Sequence, residues 1–312
     1  MKKDLTKITD LTPNEIKQII DKSFTYKKDA SISGLPSSIL KGKVVAMIFE
    51  KPSLRTKIAF EAATAKLGGI PIFLTSNQII ASGNNEKGRE SIPDIAKNLE
   101  RFADLIITRV YDHKTIEAIA NNISKPVINA LCNKYHPTQA LTDLMAIMWH
   151  KKEWKNIKVS FIGDANNVST SLMHICALMG INFSVASPKN YTIKTEEYEV
   201  ALKNAQKASS TIELLESPEA AVKNADVIYT DTFISMGEEH LKEQKLKDFK
   251  NYKVTAALLK KANKDCIFMH CLPAHRGEEV TDEVMDCESS IVFDQAECKL
   301  HTAKALLSTY LT

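Results

Sequence analysis

Apolar runs and helix-period stretches alternate along most of this 312-residue chain. Near the amino end, Thr12-Pro13-Asn14-Glu15 combines a capping box with proline at the first helical position, and Ile16, Ile19 and Ile20 behind it share one helical face. Apolar runs follow at 44–49, 70–74, 105–110 and 127–131, separated by segments of helical period at 57–67, 91–103 and 113–123. Short apolar strands separated by helices predict parallel pairing through right-handed crossovers.

Between 137 and 154, Leu141, Leu144, Met145 and Met148 repeat at helical spacing and then meet the charged run His150-Lys151-Lys152-Glu153. A domain junction is expected there. A second alternating series places strands at 159–162, 183–186, 212–215, 227–230 and 266–271. Ala303, Leu306, Leu307 and Tyr310 then predict a terminal helix that packs back on the first half. The expected fold is α/β: two doubly wound parallel-sheet domains joined by interdomain helices. Residues 1–149, completed by the helix 296–312, form one domain, and 150–295 the other. The length suits two cores.

Composition narrows the function classes. With 44% hydrophobic and 25% charged residues the chain reads as an ordinary globular protein, and its net charge of +3 is too small to argue for nucleic acid. No stretch approaches the apolar length of a membrane span, and the two lysines near the start have no apolar segment behind them, so a cytoplasmic protein without a membrane partner is expected. The six cysteines form no C-x-x-C pair and read as reduced thiols. His270, Cys271 and His275 lie close in sequence, but their spacing matches no closed four-ligand zinc site, and no metal is expected.

Ser53-Leu54-Arg55-Thr56-Lys57 follows the first apolar run and opens a helix-compatible stretch. A strand feeding such a turn points the first helical N–H groups outward, where the helix dipole, two hydroxyls and a guanidinium converge on an oxyanion. The same residues also suit a plain helix start with Ser53 as N-cap. Pro52 and the absence of glycine exclude a Walker loop and, with it, the inference of nucleotide hydrolysis.

Arg109 ends its strand at the edge where open α/β sheets bind ligands; a surface ion pair is the alternative. His136, in the run from Asn133 to Gln139, stands just before a helix whose dipole favours the neutral ring. That ring either polarises a carbonyl or merely caps the helix. After the first strand of the second half, Gly163-Asp164-Ala165-Asn166-Asn167-Val168 offers one glycine where a dinucleotide fingerprint needs three, which disfavours a dehydrogenase. Its asparagines suit either the carboxylate of a small amino acid or a simple turn. Asp231 and Ser235 follow another strand, where they can pair with a substrate ammonium or form a turn. Cys271 closes the series. As a nucleophile it would want a histidine base, yet strand alternation points its neighbour His270 to the opposite face.

In this order the segments resemble the ornithine carbamoyltransferases over essentially the whole chain. SLRTK is similar to the family's S-T-R-T-R motif, HPTQ stands as in the family, DTFISMG matches D-x-x-x-S-M-G, and HCLP matches H-C-L-P. The last two point away from the aspartate-specific relatives. The resemblance implies transfer of the carbamoyl group of carbamoyl phosphate to the side-chain amine of L-ornithine, giving L-citrulline and phosphate without a cofactor. It implies that Ser53, Leu54, Arg55 and Thr56 hold the phosphate, and that Arg109, His136 and Gln139 hold the carbamoyl end. Asn167, Asp231, Ser235 and Met236 would bind ornithine, while Cys271 and the Leu272 carbonyl orient the reacting groups. It further implies a homotrimer whose active sites are completed by a neighbour's loop.

Three features depart from the family pattern. Leu54 replaces a threonine, Lys299 in ECKLHT replaces an arginine of the carbonyl-binding segment, and the loop 82–89 with Arg89 looks long. A non-catalytic small-molecule binder with the same fold stays open on sequence alone.

Overall fold

The computed structural model describes residues 3–32, 38–75, 90–235 and 237–312. The expectations for the loop 82–89, Arg89 and Met236 fall outside these residues. The chain divides into two compact units, Met1–Met145 with Glu297–Thr312, and Ala146–Ala296.

The first unit holds a parallel sheet of four strands, β1 (Val44–Phe49), β2 (Ile70–Thr75), β3 (Leu105–Arg109) and β4 (Val127–Leu131), in the order β2-β1-β3-β4. Burial on both faces explains the unbroken apolar runs of β1, β3 and β4. Strand β2 lies at the edge and alternates toward solvent, with Ile70 and Ile72 exposed. The expected capping box forms: Glu15 accepts from the Thr12 N–H at 2.8 Å, and Thr12 Oγ1 accepts from the Glu15 N–H at 3.3 Å. The β1–β3 ladder ends at Phe49 opposite Arg109, and the Glu50 N–H then donates to the Arg109 carbonyl at 2.8 Å. The chain turns here into the helix Leu54–Lys66, anchored by buried Thr56, Ala59, Phe60, Ala63 and Thr64. The carboxyl edge of this sheet therefore presents the start of that helix, Arg109, and His136 beyond β4.

The second unit holds β5 (Lys158–Ile162), β6 (Asn182–Ala186), β7 (Ile212–Leu215), β8 (Val227–Thr230) and β9 (Ile267–His270) in the parallel order β7-β6-β5-β8-β9. On one side the core includes Phe233 stacked on Phe249 at 4.7 Å between ring centroids. At Gly163, just past β5, φ is +131°, and a Cβ would lie 3.2 Å from the Phe233 ring. The glycine thus lets the turn approach the aromatic core closely. The carboxyl ends of β5, β8 and β9 carry Asp164, Asp231 and Cys271. Two parallel α/β sheets were expected from the alternation, and two are found. Among the described residues no helix is long and apolar enough to cross a membrane.

Candidate active site

In the first unit, Ser53 occupies the N-cap position in extended backbone (φ −158°, ψ 116°), but its side chain makes no capping hydrogen bond. Leu54 is 68% exposed, Arg55 is half-buried, and Thr56 is buried. The first-turn N–H groups lack intrahelical carbonyls as at any helix start. Arg109 is buried, so the surface ion pair considered as its alternative is not what the fold builds.

Gln139 connects this edge to the carboxy-terminal helix Val292–Leu311. Its Nε2 donates to buried Asp143 at 2.7 Å, and its Oε1 accepts from the Lys299 ammonium. Thr56 and Lys299 line one pocket, together with Phe60, Thr138, Thr142 and Thr302. Asp143 was not singled out in the sequence. It sits one helical turn beyond Gln139, an i,i+4 spacing that could have signalled it.

The neutral ring expected at His136 is what the surroundings favour, for a different leading reason than the helix dipole. Burial lowers its pKa well below the ordinary histidine value, and the positive charges of Lys299 and Arg109 lower it further. The Thr138 hydroxyl lies 3.3 Å from its Nδ1.

In the second unit, the buried Asp231 carboxylate is held at both oxygens. Cys271 Sγ donates to Oδ1 at 3.0 Å, and Asn166 Nδ2 donates to Oδ2 at 2.8 Å. Asn166 Oδ1 in turn accepts the N–H groups of Val168 and Ser169, capping the helix Asn167–Met179. Of the two asparagines that the sequence offered for a carboxylate or a turn, Asn166 makes the cap and the link to Asp231, and Asn167, which the resemblance assigned to ornithine, stands beside it as the first helical residue.

His270 is not paired with the Cys271 sulfur. It is fully buried, its Nδ1 accepts the Leu272 N–H at 2.8 Å, and its Nε2 lies 3.2 Å from buried Glu279. Leu272 is thereby held at φ +60°, a left-handed conformation that costs a leucine about 1–3 kcal/mol. Nor does the fold group His270, Cys271 and His275. The first two gather with Asp231, whereas His275 gathers with Glu278 and Glu279.

Ser235 is half-buried, and its N–H donates to Glu238 at 3.2 Å. Glu238 and Asp164 both pair with Lys245, a triad that no local spacing in the sequence signals.

The comparisons with known proteins bear on both halves. Residues 3–148 match the family model described as the carbamoyl-P binding domain of aspartate/ornithine carbamoyltransferase, and residues 155–310 match its Asp/Orn binding domain. This chain belongs to the aspartate/ornithine carbamoyltransferase family. Among its relatives, the ornithine carbamoyltransferase of Bacillus subtilis is 44% identical over 310 residues, covering 99% of this chain and 94% of the relative. The anabolic ornithine carbamoyltransferase of Pyrococcus furiosus is 44% identical over 306 residues, covering 98% and 95%. A solved ornithine carbamoyltransferase structure from Pyrococcus furiosus superposes with a TM-score of 0.93 at 43% identity, covering 99% of this chain and 97% of the other. The anabolic enzyme structure from Campylobacter jejuni gives 0.91 at 38% identity, covering 99% of each.

Against this carbamoyltransferase background, Lys299 places a single ammonium where a planar fork was expected, and that ammonium is tied to Gln139. Depression of the His136 pKa also has a thermodynamic consequence. The unfolded chain takes up a proton near pH 6.5 that the folded carbamoyltransferase refuses, so this histidine's contribution to stability is present above that pH and lost as pH falls below it. His136→Gln is expected to flatten the stability–pH slope below about pH 6.5. Denaturant titrations of both proteins between acidic and neutral pH check this, and identical slopes would contradict it.

Proposed function

We propose that this chain transfers the carbamoyl group of carbamoyl phosphate to the side-chain amine of L-ornithine, giving L-citrulline and phosphate. The observation that carries this is end-to-end: two complementary family domains cover the chain, and relatives 44% identical over nearly their full lengths are named ornithine carbamoyltransferases.

In this reading, Ser53, Leu54, Arg55 and Thr56 bind the phosphate through backbone N–H groups, hydroxyls and the guanidinium. Arg109, His136 and Gln139 bind the carbamoyl oxygen and amide, with Arg109 also meeting phosphate. Lys299 adds a positive charge. Asn167, Asp231, Ser235 and Met236 bind ornithine, and Cys271 with the Leu272 carbonyl orients its amine. The amine arrives as an ammonium and must lose a proton before its lone pair can attack. Attack on the carbonyl carbon forms the C–N bond and a tetrahedral oxyanion, which Thr56, Arg109 and neutral His136 stabilise by donation. Collapse breaks the C–O bond to phosphate, whose growing charge the helix start and Arg55 already match. No step calls on a cofactor, since positioning and electrostatics act on both substrates directly.

We also propose the direction of citrulline synthesis, as in the relatives named anabolic. A cytoplasmic homotrimer with shared active sites completes the proposal. In support, apolar Leu54 and Ile58 are exposed on the helix Leu54–Lys66, and Ile70 and Ile72 on the neighbouring edge strand β2. Light scattering checks this, and a mass equal to one 34.8 kDa chain would refute the assembly. A colorimetric citrulline assay over a panel of amines tests the activity. Ornithine should give citrulline and equimolar phosphate, whereas putrescine and acylated ornithine should not; no phosphate release with ornithine would overturn the reading.

A further inference from the structure

Lys245 is a buried cation that the reaction above does not use. It lies in the helix Lys242–Asp248 and is 2% exposed. Its ammonium sits 2.7 Å from Asp164 Oδ2 and 2.5 Å from Glu238 Oε2. That same Glu238 oxygen accepts the Ser235 N–H at 3.2 Å. Asp164, just past β5, is two residues from Asn166, which donates to Asp231. One ammonium therefore joins the segment that carries Ser235 to the strand end beside Asp231.

The charge arrangement explains why such a cation is retained. Burial pushes the Asp164 carboxyl up, Lys245 opposes this, and the nearby charges of Glu238 and Asp231 add to the rise. Burial also disfavours the ammonium, but the two carboxylates outweigh it, and the net shift of Lys245 is upward. Without the cation, Asp164 and Glu238 would repel one another and Asp231. A desolvated ion group of this kind is a weak source of net stability, but removing one member leaves buried charge uncompensated. Its ordering effect falls on Ser235.

We propose that Lys245 is a positioning residue for ornithine, fixing Ser235 through Glu238 and steadying the Asp164–Asp231 edge without touching substrate. The inference rests on the assignment of Ser235 and Asp231 to the ornithine end. The ordered geometry lowers the cost of binding the diamino acid, and it leaves the carbamoyl phosphate half unaffected.

The test is steady-state kinetics on the full-length chain with each substrate varied. Lys245→Met keeps the apolar stem, and Glu238→Ala removes the carboxylate that joins Lys245 to Ser235, at a half-buried side chain, while Lys245 keeps its pair with Asp164. Each is expected to raise the KM for ornithine about 10- to 100-fold while the KM for carbamoyl phosphate stays unchanged. Glu238→Gln retains an acceptor for the Ser235 N–H and should recover much of the loss. If Lys245→Met does not fold, Glu238→Ala and its Gln rescue decide alone. An unchanged ornithine KM in Glu238→Ala, equal rises for both substrates, or absence of rescue by Gln would overturn the clamp. Failure of the wild-type chain to form citrulline would instead overturn the functional reading beneath it.

Discussion

Arg55→Ala is expected to abolish carbamoyl transfer while the fold survives. Arg55 is the second residue of the helix Leu54–Lys66 and only half-buried, and the helix is anchored by Thr56, Ala59, Phe60, Ala63 and Thr64. Truncation therefore removes a charge without opening a core cavity. The backbone N–H groups and the helix dipole remain, so the variant isolates the guanidinium, which presents paired donors that the backbone cannot replace. The loss falls mainly on the transition state, because negative charge on the phosphate grows as the C–O bond breaks. A loss of about 10³-fold or more in kcat/KM is expected, by analogy with removal of one preorganised oxyanion donor. Citrulline formation and phosphate release measure the activity, while circular dichroism and a thermal melt verify the fold. Near-normal turnover would remove Arg55 from the proposed phosphate cradle.

The helix start that carries Arg55 was readable in the sequence because it follows a strand buried on both faces. Such strands appear as apolar runs, and β1, β4 and β8 have the bounds that those runs predicted; so does β7, although it is an edge strand with only Ile212 buried. Strand β2 reads the same way, although Ile70 and Ile72 are exposed at the edge of the sheet. Hydropathy cannot separate a central strand from an edge strand whose apolar side faces outward. Alternation misled locally: it directed His270 away from Cys271, whereas a ring nitrogen of His270 and the Cys271 sulfur lie within 4.8 Å of one another beside Asp231, to which the thiol donates.

Partnerships between distant segments were not readable. Gln139 meets Lys299 across 160 positions, and Lys245 meets Asp164 across 81. A lysine on a short polar helix looks like any solvated charge until the fold brings two carboxylates to it. His136 shows a subtler limit. Its position before a helix suggested a dipole effect, but burial and two cations dominate, and both depend on tertiary structure. The residues proposed to meet ligand stand at strand ends that were legible in the sequence, whereas the distant partners of Gln139 and Lys245 were not.

Asp231→Asn is expected to collapse the use of ornithine while leaving carbamoyl phosphate binding in place. The wild-type carboxylate accepts from Cys271 at Oδ1 and from Asn166 at Oδ2, so its plane is fixed before any ligand arrives. Asparagine has the same shape. Its carbonyl oxygen can keep the Asn166 bond, and its amide then faces the Cys271 sulfur, whose thiol hydrogen can rotate away. The substitution therefore removes charge with little change in packing, and the cap that Asn166 makes on the helix Asn167–Met179 remains. An ammonium brought into this buried site would lose its anionic partner, which costs about 2–5 kcal/mol for a desolvated pair. Since 1.36 kcal/mol is tenfold, kcat/KM for ornithine should fall by about 10²-fold or more. Initial rates with each substrate varied in turn separate the two halves: the KM for carbamoyl phosphate is expected to hold. A variant with wild-type kcat/KM for ornithine would show that Asp231 orients Cys271 and Asn166 but does not pair with the substrate amine.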